Sequence, residues 1–147
     1  MLALERLIDD CRARGIKVTP QRTAIFEALL RHPGHPSADE VYQEVLQRYP
    51  MLSFATVYNT LQLLTEMGQV REVIVDELRR RYDLNAAPHQ HAVCRLCHRI
   101  EDVPIRAEDA LRPAARSALQ DCGFQLETAT VQFIGLCGSC ARSEATD

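Results

Sequence analysis

Four of the six cysteines in this 147-residue chain stand in two C-x-x-C pairs. Cys94 and Cys97 form the first pair, and Cys137 and Cys140 form the second pair near the C-terminus. Each pair can present two sulfur atoms from one tight turn, and two such turns supply the four thiolates of a closed tetrahedral zinc site. The spacing therefore predicts a structural Zn²⁺ site.

Two histidines precede the first cysteine pair. His89 and His91 are two residues apart, so on a β-strand their imidazoles point to the same face. Imidazole nitrogens and carboxylate oxygens suit Fe²⁺, Mn²⁺ or Zn²⁺ rather than Cu⁺. We therefore expect the segment 89–97 to serve two metals, one bound by sulfur and one bound by nitrogen and oxygen.

The composition favours a cytoplasmic globular protein without a membrane partner. Hydrophobic residues make up 46% of the chain and charged residues 25%, and no apolar run reaches the ~18 residues of a membrane span. Charges occur throughout residues 1–14, without the apolar core of a signal peptide. Cytoplasmic cysteines stay reduced, which favours metal binding over disulfides. The net charge of −3 does not indicate nucleic acid, so DNA binding requires a local basic face.

The N-terminal half has the pattern of four helices followed by two strands. Apolar residues at helical spacing predict a first helix that ends at Gly15 and buries Cys11 as a small core residue. Capping residues predict three further helix starts, at Thr19–Pro20, Ser37 and Ser53. Strands are predicted over 70–75 and 79–84. The four apolar helix faces comprise Leu4, Leu7, Ile8 and Cys11; Ile25, Leu29 and Leu30; Val41, Val45 and Leu46; and Val57, Leu61 and Leu64.

Helices followed by a hairpin are the order of elements in a winged helix-turn-helix. In that fold the fourth helix of this chain enters the major groove of DNA. Its face away from the core carries Thr56, Tyr58, Asn59 and Gln62. The alternative is a helical domain whose polar face is only solvated, and the order of elements alone does not decide between them.

The C-terminal half has the pattern of a small α/β domain. We expect a winged-helix domain over 1–84, a hinge at 85–88 and this second domain over 89–147, an α+β fold as a whole. Strands are predicted at 90–94 and 99–103, then a helix over about 110–120 with Asp109 as its N-cap and Pro113 in its first turn. A long strand over 124–136, a packed Cys122 thiol and a frayed tail from Ala141 complete the prediction.

Several motifs, in order along essentially the whole chain, resemble the ferric uptake regulator family. The resemblance implies a homodimeric, metal-dependent bacterial transcription repressor that has an N-terminal winged helix and a C-terminal α/β dimerisation domain. The motifs are Val18-Thr19-Pro20-Gln21-Arg22, Ser37-Ala38-Asp39-Glu40-Val41-Tyr42, Ala55-Thr56-Val57-Tyr58-Asn59-Thr60-Leu61, His89-x-His91 with Cys94-x-x-Cys97, and Gly135-Leu136-Cys137-x-x-Cys140.

Within that family the chain is most similar to the peroxide-responsive branch. Aspartates stand where the iron-uptake branch tends to have glutamates, and Asn59 stands where that branch often has arginine. The resemblance implies a regulatory Fe²⁺ or Mn²⁺ ion beside the structural zinc. The ligands that it implies are His35, Asp83, His89, His91 and Asp102.

The implied mechanism is a metal-controlled change in DNA affinity. Ligands from both domains would bind the metal most tightly in one relative placement of the two domains. Metal binding would therefore favour the form of the dimer that binds DNA. The resemblance also implies that peroxide reacts at bound Fe²⁺ and oxidises His35 or His89, which ends repression. The operator of a two-fold dimer is expected to be a pseudo-palindrome in double-stranded DNA. Expected phosphate contacts are Arg14, Lys17 and Arg22, and expected contacts near base edges or backbone are Thr56, Tyr58, Asn59 and Thr60.

Three alternatives stay open at this point. The chain is alternatively an Fe²⁺- or Mn²⁺-uptake regulator without peroxide sensing. A non-haem iron enzyme also uses two histidines and a carboxylate, but it needs a substrate pocket, and no motif here suggests one, so we expect no enzyme. The arginines at 79–81 are either contacts of the wing with DNA or a solvated basic run, and the second interpretation is favoured.

Overall fold

The computed structural model describes residues 2–76, 79–85, 89–127 and 129–144. The chain forms two compact units, Met1–Ala86 and Ala87–Asp147. Residues 77–78 of the predicted hairpin turn, residues 86–88 of the predicted hinge and the last three residues of the predicted frayed tail lie outside the described residues.

The N-terminal unit contains four helices followed by a two-stranded antiparallel hairpin. The predicted capping residues begin three of the helices, because the hydroxyl oxygens of Thr19, Ser37 and Ser53 each accept a bond from a backbone N–H in the first turn. Gly15 and Gly68 follow α1 and α4 with positive φ, as expected of helix-ending glycines. The elements are α1 (Leu2–Ala13), α2 (Pro20–Arg31), α3 (Ala38–Leu46), α4 (Phe54–Glu66), β1 (Arg71–Ile74) and β2 (Arg80–Asp83).

The core of this unit lies between the helices and the hairpin. Cys11 is fully buried, as predicted. Leu30 was predicted to be in the core but lies at the surface, whereas Phe26, which was not predicted, is fully buried. The largest fully buried side chains of the unit include Phe26, Ile25, Leu29, Leu61, Leu64, Val41 and Val57.

The C-terminal unit is built on a three-stranded sheet. Its strands lie in the order β4-β3-β5, with β3 antiparallel to β4 and parallel to β5. Among the described residues of this unit, only Val93 and Cys94 are buried apolar side chains. The elements are β3 (Gln90–Cys94), β4 (Ile100–Val103), α5 (Ala107–Gln120), β5 (Gln132–Gly135) and α6 (Gly138–Glu144).

The helix α5 begins earlier than predicted. It starts at Ala107, so Asp109 is a residue of the first turn and not the N-cap. The Asp109 carboxylate forms an ion pair with the Arg106 guanidinium at 3.0 Å. A negative charge at the start of a helix also stabilises the helix by interacting with its dipole. Pro113 therefore lies inside the helix, where its ring nitrogen donates no bond to the carbonyl of residue 109.

Three other predictions for this unit were wrong. Among the described residues of the predicted strand 124–136, of which residue 128 is not one, only Gln132–Gly135 form a strand, β5, which pairs with β3. The tail is helical through Glu144, whose carboxylate lies 3.3 Å from the Arg95 guanidinium. The Cys122 thiol is exposed and not packed.

The order of elements confirms the predicted α+β class, with a winged helix-turn-helix followed by a small sheet domain. No helix in the described parts of the chain combines the length and the apolar character needed to cross a membrane.

Candidate metal centres and nucleic-acid interface

The parallel pairing of β3 with β5 brings the two C-x-x-C pairs together. Cys94 ends β3 and lies opposite Gly135, the last residue of β5. The chain therefore needs only Leu136 to carry Cys137 to the same end of the sheet. A backbone bond from the Arg95 N–H to the Gly135 carbonyl, 2.8 Å long, continues this connection beyond the strands.

Each pair lies on a sharp turn of the backbone. After Cys97 the chain passes through His98 at φ 62°, and the His98 N–H donates to the Cys94 carbonyl at 2.9 Å. Cys137 immediately precedes α6 and its carbonyl accepts from the Ala141 N–H at 2.9 Å, while Cys140 is the third residue of that helix. Both turns thus point two sulfur atoms toward a common centre.

The four sulfur atoms are spaced for one tetrahedral ion. All lie within 4.8 Å of one another, and the Sγ atoms of Cys97 and Cys137 are 3.7 Å apart. Zn–S bonds of about 2.3 Å in a tetrahedron place sulfurs about 3.8 Å apart, whereas a disulfide needs about 2.05 Å. None of the six cysteines is in a disulfide. The group fits a zinc ion.

Backbone N–H groups favour the thiolate form in this cluster. Hydrogen bonds from the N–H groups of Cys97 and then Cys137 lower the pKa of Cys94 to about 6. The N–H of Cys140, in the first turn of α6, likewise lowers the pKa of Cys137. Hydrogen bonds with Cys137 and Cys97 have the opposite effect on Cys140 and raise its pKa to about 12. Since a metal binds the thiolate and not the thiol, the backbone favours the metal-binding form at Cys94 and Cys137, whereas Cys140 must lose its proton when zinc binds.

A second group of donors in the C-terminal unit consists of His89, His91 and Asp102. Asp102 on β4 lies opposite His91 on β3 in the antiparallel register. The Nε2 atoms of the two histidines are 3.0 Å apart, and Oδ1 of Asp102 lies 3.6 Å from the first and 3.9 Å from the second. Adjacent ligands of an octahedral ion with bonds of about 2.1 Å are about 3.0 Å apart, which matches the separation of the two imidazole nitrogens. The Asp102 oxygen lies farther from both nitrogens, so it must move closer to them to share one octahedral ion.

The N-terminal unit carries a further pair, His35 and Asp83. His35 lies in the loop between α2 and α3, and Asp83 is the last residue of β2. Nε2 of His35 is 4.0 Å from Oδ1 of Asp83, which also accepts the Asn85 N–H at 2.7 Å. The side chains are only 11% and 5% exposed. A buried carboxylate beside an imidazole offers oxygen and nitrogen donors without sulfur, which suits Fe²⁺ or Mn²⁺.

The helix α4 presents part of the predicted DNA-reading surface. Tyr58 and Asn59 are exposed, and Thr56 is half-buried. Thr60 does not belong to this surface: its side chain is 1% exposed, and its hydroxyl donates to the Thr56 carbonyl at 2.7 Å. Thr60 lies on the buried face of α4 together with Val57, Leu61 and Leu64, so its predicted contact with DNA does not fit the structure.

Two predicted phosphate contacts also hold the N-terminal unit together. The Arg14 guanidinium donates to the carbonyl of Met67 at the end of α4, at 3.3 Å. The Arg22 guanidinium donates to the Lys17 carbonyl at 2.6 Å. Lys17 and Arg14 are exposed and Arg22 is half-buried, so all three retain N–H groups that can meet a phosphate.

The arginines of the hairpin face carboxylates of the same unit. Arg79 lies 3.6 Å from Asp76, and Arg80 lies 3.0 Å from Glu72. Arg81 lies 2.5 Å from Glu40 at the start of α3, a partner that no local sequence pattern indicates. These ion pairs neutralise the arginines within the unit, which favours the solvated run over contacts of the wing with DNA.

The chain combines a winged helix that exposes polar side chains with groups of metal-binding residues. This combination is typical of a metal-responsive DNA-binding regulator. The family model of the ferric uptake regulator family matches residues 13–134, and the chain belongs to this family. Members of the family are DNA-binding homodimers that act as transcription regulators and not as enzymes. This chain is a metal-dependent transcriptional repressor of the peroxide-responsive branch.

Two relatives agree with that branch, and a third structure shares the fold. The peroxide operon regulator of Bacillus subtilis is 31% identical, over 96% of this chain and 95% of that protein. The solved structure of the Campylobacter jejuni peroxide stress regulator is 31% identical, with a TM-score of 0.61 over 93% of this chain and 98% of that one. The Helicobacter pylori ferric uptake regulator, described with three functional metal-binding sites, shares the fold with a TM-score of 0.71 at 23% identity, over 95% and 91% of the two chains.

Proposed function

We propose that this repressor binds a structural zinc ion through four cysteines and a regulatory Fe²⁺ or Mn²⁺ ion through five nitrogen and oxygen donors. The observation that carries the proposal is the convergence of His89, His91 and Asp102, whose donor atoms lie 3.0 to 3.9 Å apart. The zinc ligands are Cys94, Cys97, Cys137 and Cys140, and the regulatory ligands are His35, Asp83, His89, His91 and Asp102.

The regulatory ion controls DNA binding through its two groups of ligands. His35 and Asp83 belong to the winged-helix unit, whereas the other three ligands belong to the sheet unit. An ion that takes ligands from both groups binds the arrangement that unites them more tightly than any other arrangement. That difference in affinity shifts the protein toward the DNA-binding dimer.

Peroxide ends repression by modifying a ligand. Fe²⁺ held by these ligands would supply the transfer of one oxygen atom from hydrogen peroxide to a group in direct contact. His35 and His89 are the residues that take up the change: one ring C–H becomes C–O as one peroxide is reduced to water, a mass gain of one oxygen. The oxidised ring is a poorer nitrogen donor, so the affinity that unites the two groups is lost. Mn²⁺ supports the same arrangement without this reaction.

The test compares the two metals on one operator-containing DNA fragment. Protein with its zinc retained is loaded with Fe²⁺ or with Mn²⁺, treated with hydrogen peroxide, quenched with catalase and titrated in a gel-shift assay. We expect the iron form to lose DNA affinity and to gain 16 Da on a peptide containing His35 or His89, and the manganese form to do neither. Equal resistance of both forms contradicts peroxide sensing and favours an uptake regulator.

A catalytic alternative gives a different result in the same samples. An enzyme consumes many equivalents of peroxide or of a co-substrate, whereas the proposed sensor consumes about one per modified subunit. The proposal includes a cytoplasmic location, because a DNA-binding repressor acts where the DNA is and because cysteines stay reduced in that compartment.

A further inference from the structure

The loop that carries His35 is attached to strand β2 at consecutive residues. The backbone N–H of Tyr82 donates to the carbonyl of Pro36 at 2.9 Å. One residue earlier on the strand, the Arg81 guanidinium donates to the carbonyl of His35 at 3.4 Å. One residue later, the Asp83 carboxylate lies beside the His35 imidazole. The strand therefore fixes this loop from three successive positions.

Arg81 also connects the loop to the start of the helix-turn-helix. The same nitrogen, Nη1, lies 2.5 Å from Oε2 of Glu40. That carboxylate oxygen accepts the Ser37 N–H at 2.7 Å, and the Ser37 hydroxyl accepts the Glu40 N–H at 3.1 Å, so the pair forms the capping box of α3. A single oxygen of Glu40 thus joins the cap of α3 to the strand that ends in Asp83.

Electrostatics support this connection. Burial acts to raise the pKa of Glu40, but the Ser37 N–H and the Arg81 guanidinium outweigh it and lower the pKa overall. The carboxylate is therefore ionised at neutral pH and forms a charge-assisted hydrogen bond with Arg81. The neighbouring Arg80 donates to Glu72 across the same hairpin at 3.0 and 3.1 Å, which makes this ion pair a comparison within one element.

We propose that Arg81 and Glu40 are positioning residues that hold the His35 loop, the start of α3 and the Asp83 end of β2 as one assembly. The inference rests on the proposed function, because it assigns these residues to the regulatory metal site. Neither residue binds the metal. Both act through the backbone of residues 35–37, and so they link the order of the metal-binding loop to the order of the first helix of the helix-turn-helix.

The test uses substitutions that remove the ion pair and leave the cap intact. Glu40→Gln keeps the capping box, because glutamine at this position also accepts the Ser37 N–H. Arg81→Gln removes the guanidinium from the other side, and Arg80→Gln is the control. Each full-length protein, with its zinc retained, is titrated with Mn²⁺ alone. Since the Arg81 and Glu40 side chains are 28% and 45% exposed, we expect a modest effect of roughly three- to tenfold weaker Mn²⁺ binding.

Two results identify positioning rather than general destabilisation. The double variant Arg81→Gln/Glu40→Gln should bind Mn²⁺ about as weakly as either single variant, because both remove one interaction. Hydrogen exchange of the Mn²⁺-free protein should quicken at the amide of Tyr82, which donates to Pro36, in both single variants, while exchange in the core of α4 stays unchanged. Arg80→Gln should change none of these measurements.

His35→Ala separates the two levels of the proposal. If His35→Ala abolishes Mn²⁺ binding and the ion-pair variants leave it unchanged, the positioning role is wrong and the regulatory site stands. If His35→Ala leaves binding intact, both the site and the positioning role are wrong. An equal loss in Arg80→Gln also overturns the inference, because the effect then belongs to the hairpin in general.

Discussion

His91 and Asp102 face each other across the antiparallel ladder of β3 and β4, with 3.9 Å between Nε2 and Oδ1. The register of the sheet sets this relationship, because a shift of one residue would place Glu101 opposite His91 and turn Asp102 to the other face. Glu101 instead lies opposite Ala92 and pairs with Arg99 at 3.2 Å. Two acidic neighbours on one strand therefore have different surroundings.

Asp102→Asn is expected to weaken Mn²⁺ binding by at least about tenfold, because the amide is a much poorer ligand than the carboxylate and carries no charge. Calorimetric titration of the zinc-containing protein measures the change, and bound zinc should be unaffected. Glu101→Gln removes one charge from the adjacent position and should leave the Mn²⁺ affinity within about twofold. Equal losses in the two variants indicate a general charge effect and contradict ligation by Asp102.

Loss of the zinc ion should unfold the sheet unit before the winged-helix unit. The sheet unit has only Val93 and Cys94 as buried apolar side chains among its described residues, whereas the winged helix has an extensive core. Structural zinc contributes roughly 10–16 kcal/mol of apparent binding free energy in small domains. We expect Cys140→Ser to lose zinc and to expose residues 89–144 to limited proteolysis, with residues 2–76 still protected.

Cys122→Ser is the control for that experiment. The Cys122 thiol is exposed and donates to the Leu119 carbonyl at 3.1 Å. Its replacement should retain zinc and the wild-type proteolysis pattern. If Cys140→Ser also retains one zinc per chain, the four-thiolate site is wrong.

Local interactions made much of this molecule predictable from the sequence. The caps at Thr19, Ser37 and Ser53 connect residues three positions apart, so the sequence alone specifies them. The two C-x-x-C turns are equally local. The parallel pairing of β3 with β5 that brings them together joins distant parts of the chain, and the sequence did not predict it. The helix start at Asp109 was wrong because an acidic residue is favourable both as an N-cap and inside the first turn.

Interactions between distant residues were not predictable in this way. The partner of Arg81 is Glu40, and nothing local to either residue indicates the other. The burial of Thr60 depends on which side of α4 packs against the other helices, and a small polar residue beside the apolar stripe is compatible with either side. Leu30 was misplaced and Phe26 was omitted for the same reason, since α2 has apolar residues around most of its circumference.

Arg22→Ala is expected to reduce the salt dependence of DNA binding. If the Arg22 guanidinium meets one phosphate, the slope of log K against log salt concentration should fall by about one unit. Fluorescence anisotropy at several salt concentrations measures the slope. Asn59→Ala is the contrasting variant, because it removes an exposed amide on α4 and no charge. It should reduce the discrimination between operator and mutated operator by about 1–3 kcal/mol per lost base contact and leave the slope unchanged. An unchanged slope in Arg22→Ala removes this residue from the interface.

Thr60→Val should lower stability without changing DNA recognition. The variant removes a buried hydroxyl that donates to the Thr56 carbonyl, at a cost of about 1 kcal/mol in the free energy of unfolding. Urea unfolding measures that cost, and anisotropy at a temperature where the protein is fully folded measures the DNA affinity. If Thr60→Val loses as much affinity for the operator as Asn59→Ala does, Thr60 contacts DNA after all.

The exposed apolar side chains of the sheet unit should be covered in the homodimer. Ile134 on β5 is 71% exposed and Phe133 is 40% exposed in the single chain. A charged group on such a surface is costly to bury between two subunits, so Ile134→Asp should weaken dimerisation by at least about tenfold. Analytical ultracentrifugation over a concentration series measures the change. The control is Ile74→Asp, since Ile74 on β1 is 55% exposed but belongs to the winged-helix unit, and this variant should remain dimeric. A fully dimeric Ile134→Asp protein would mean that the two subunits meet elsewhere.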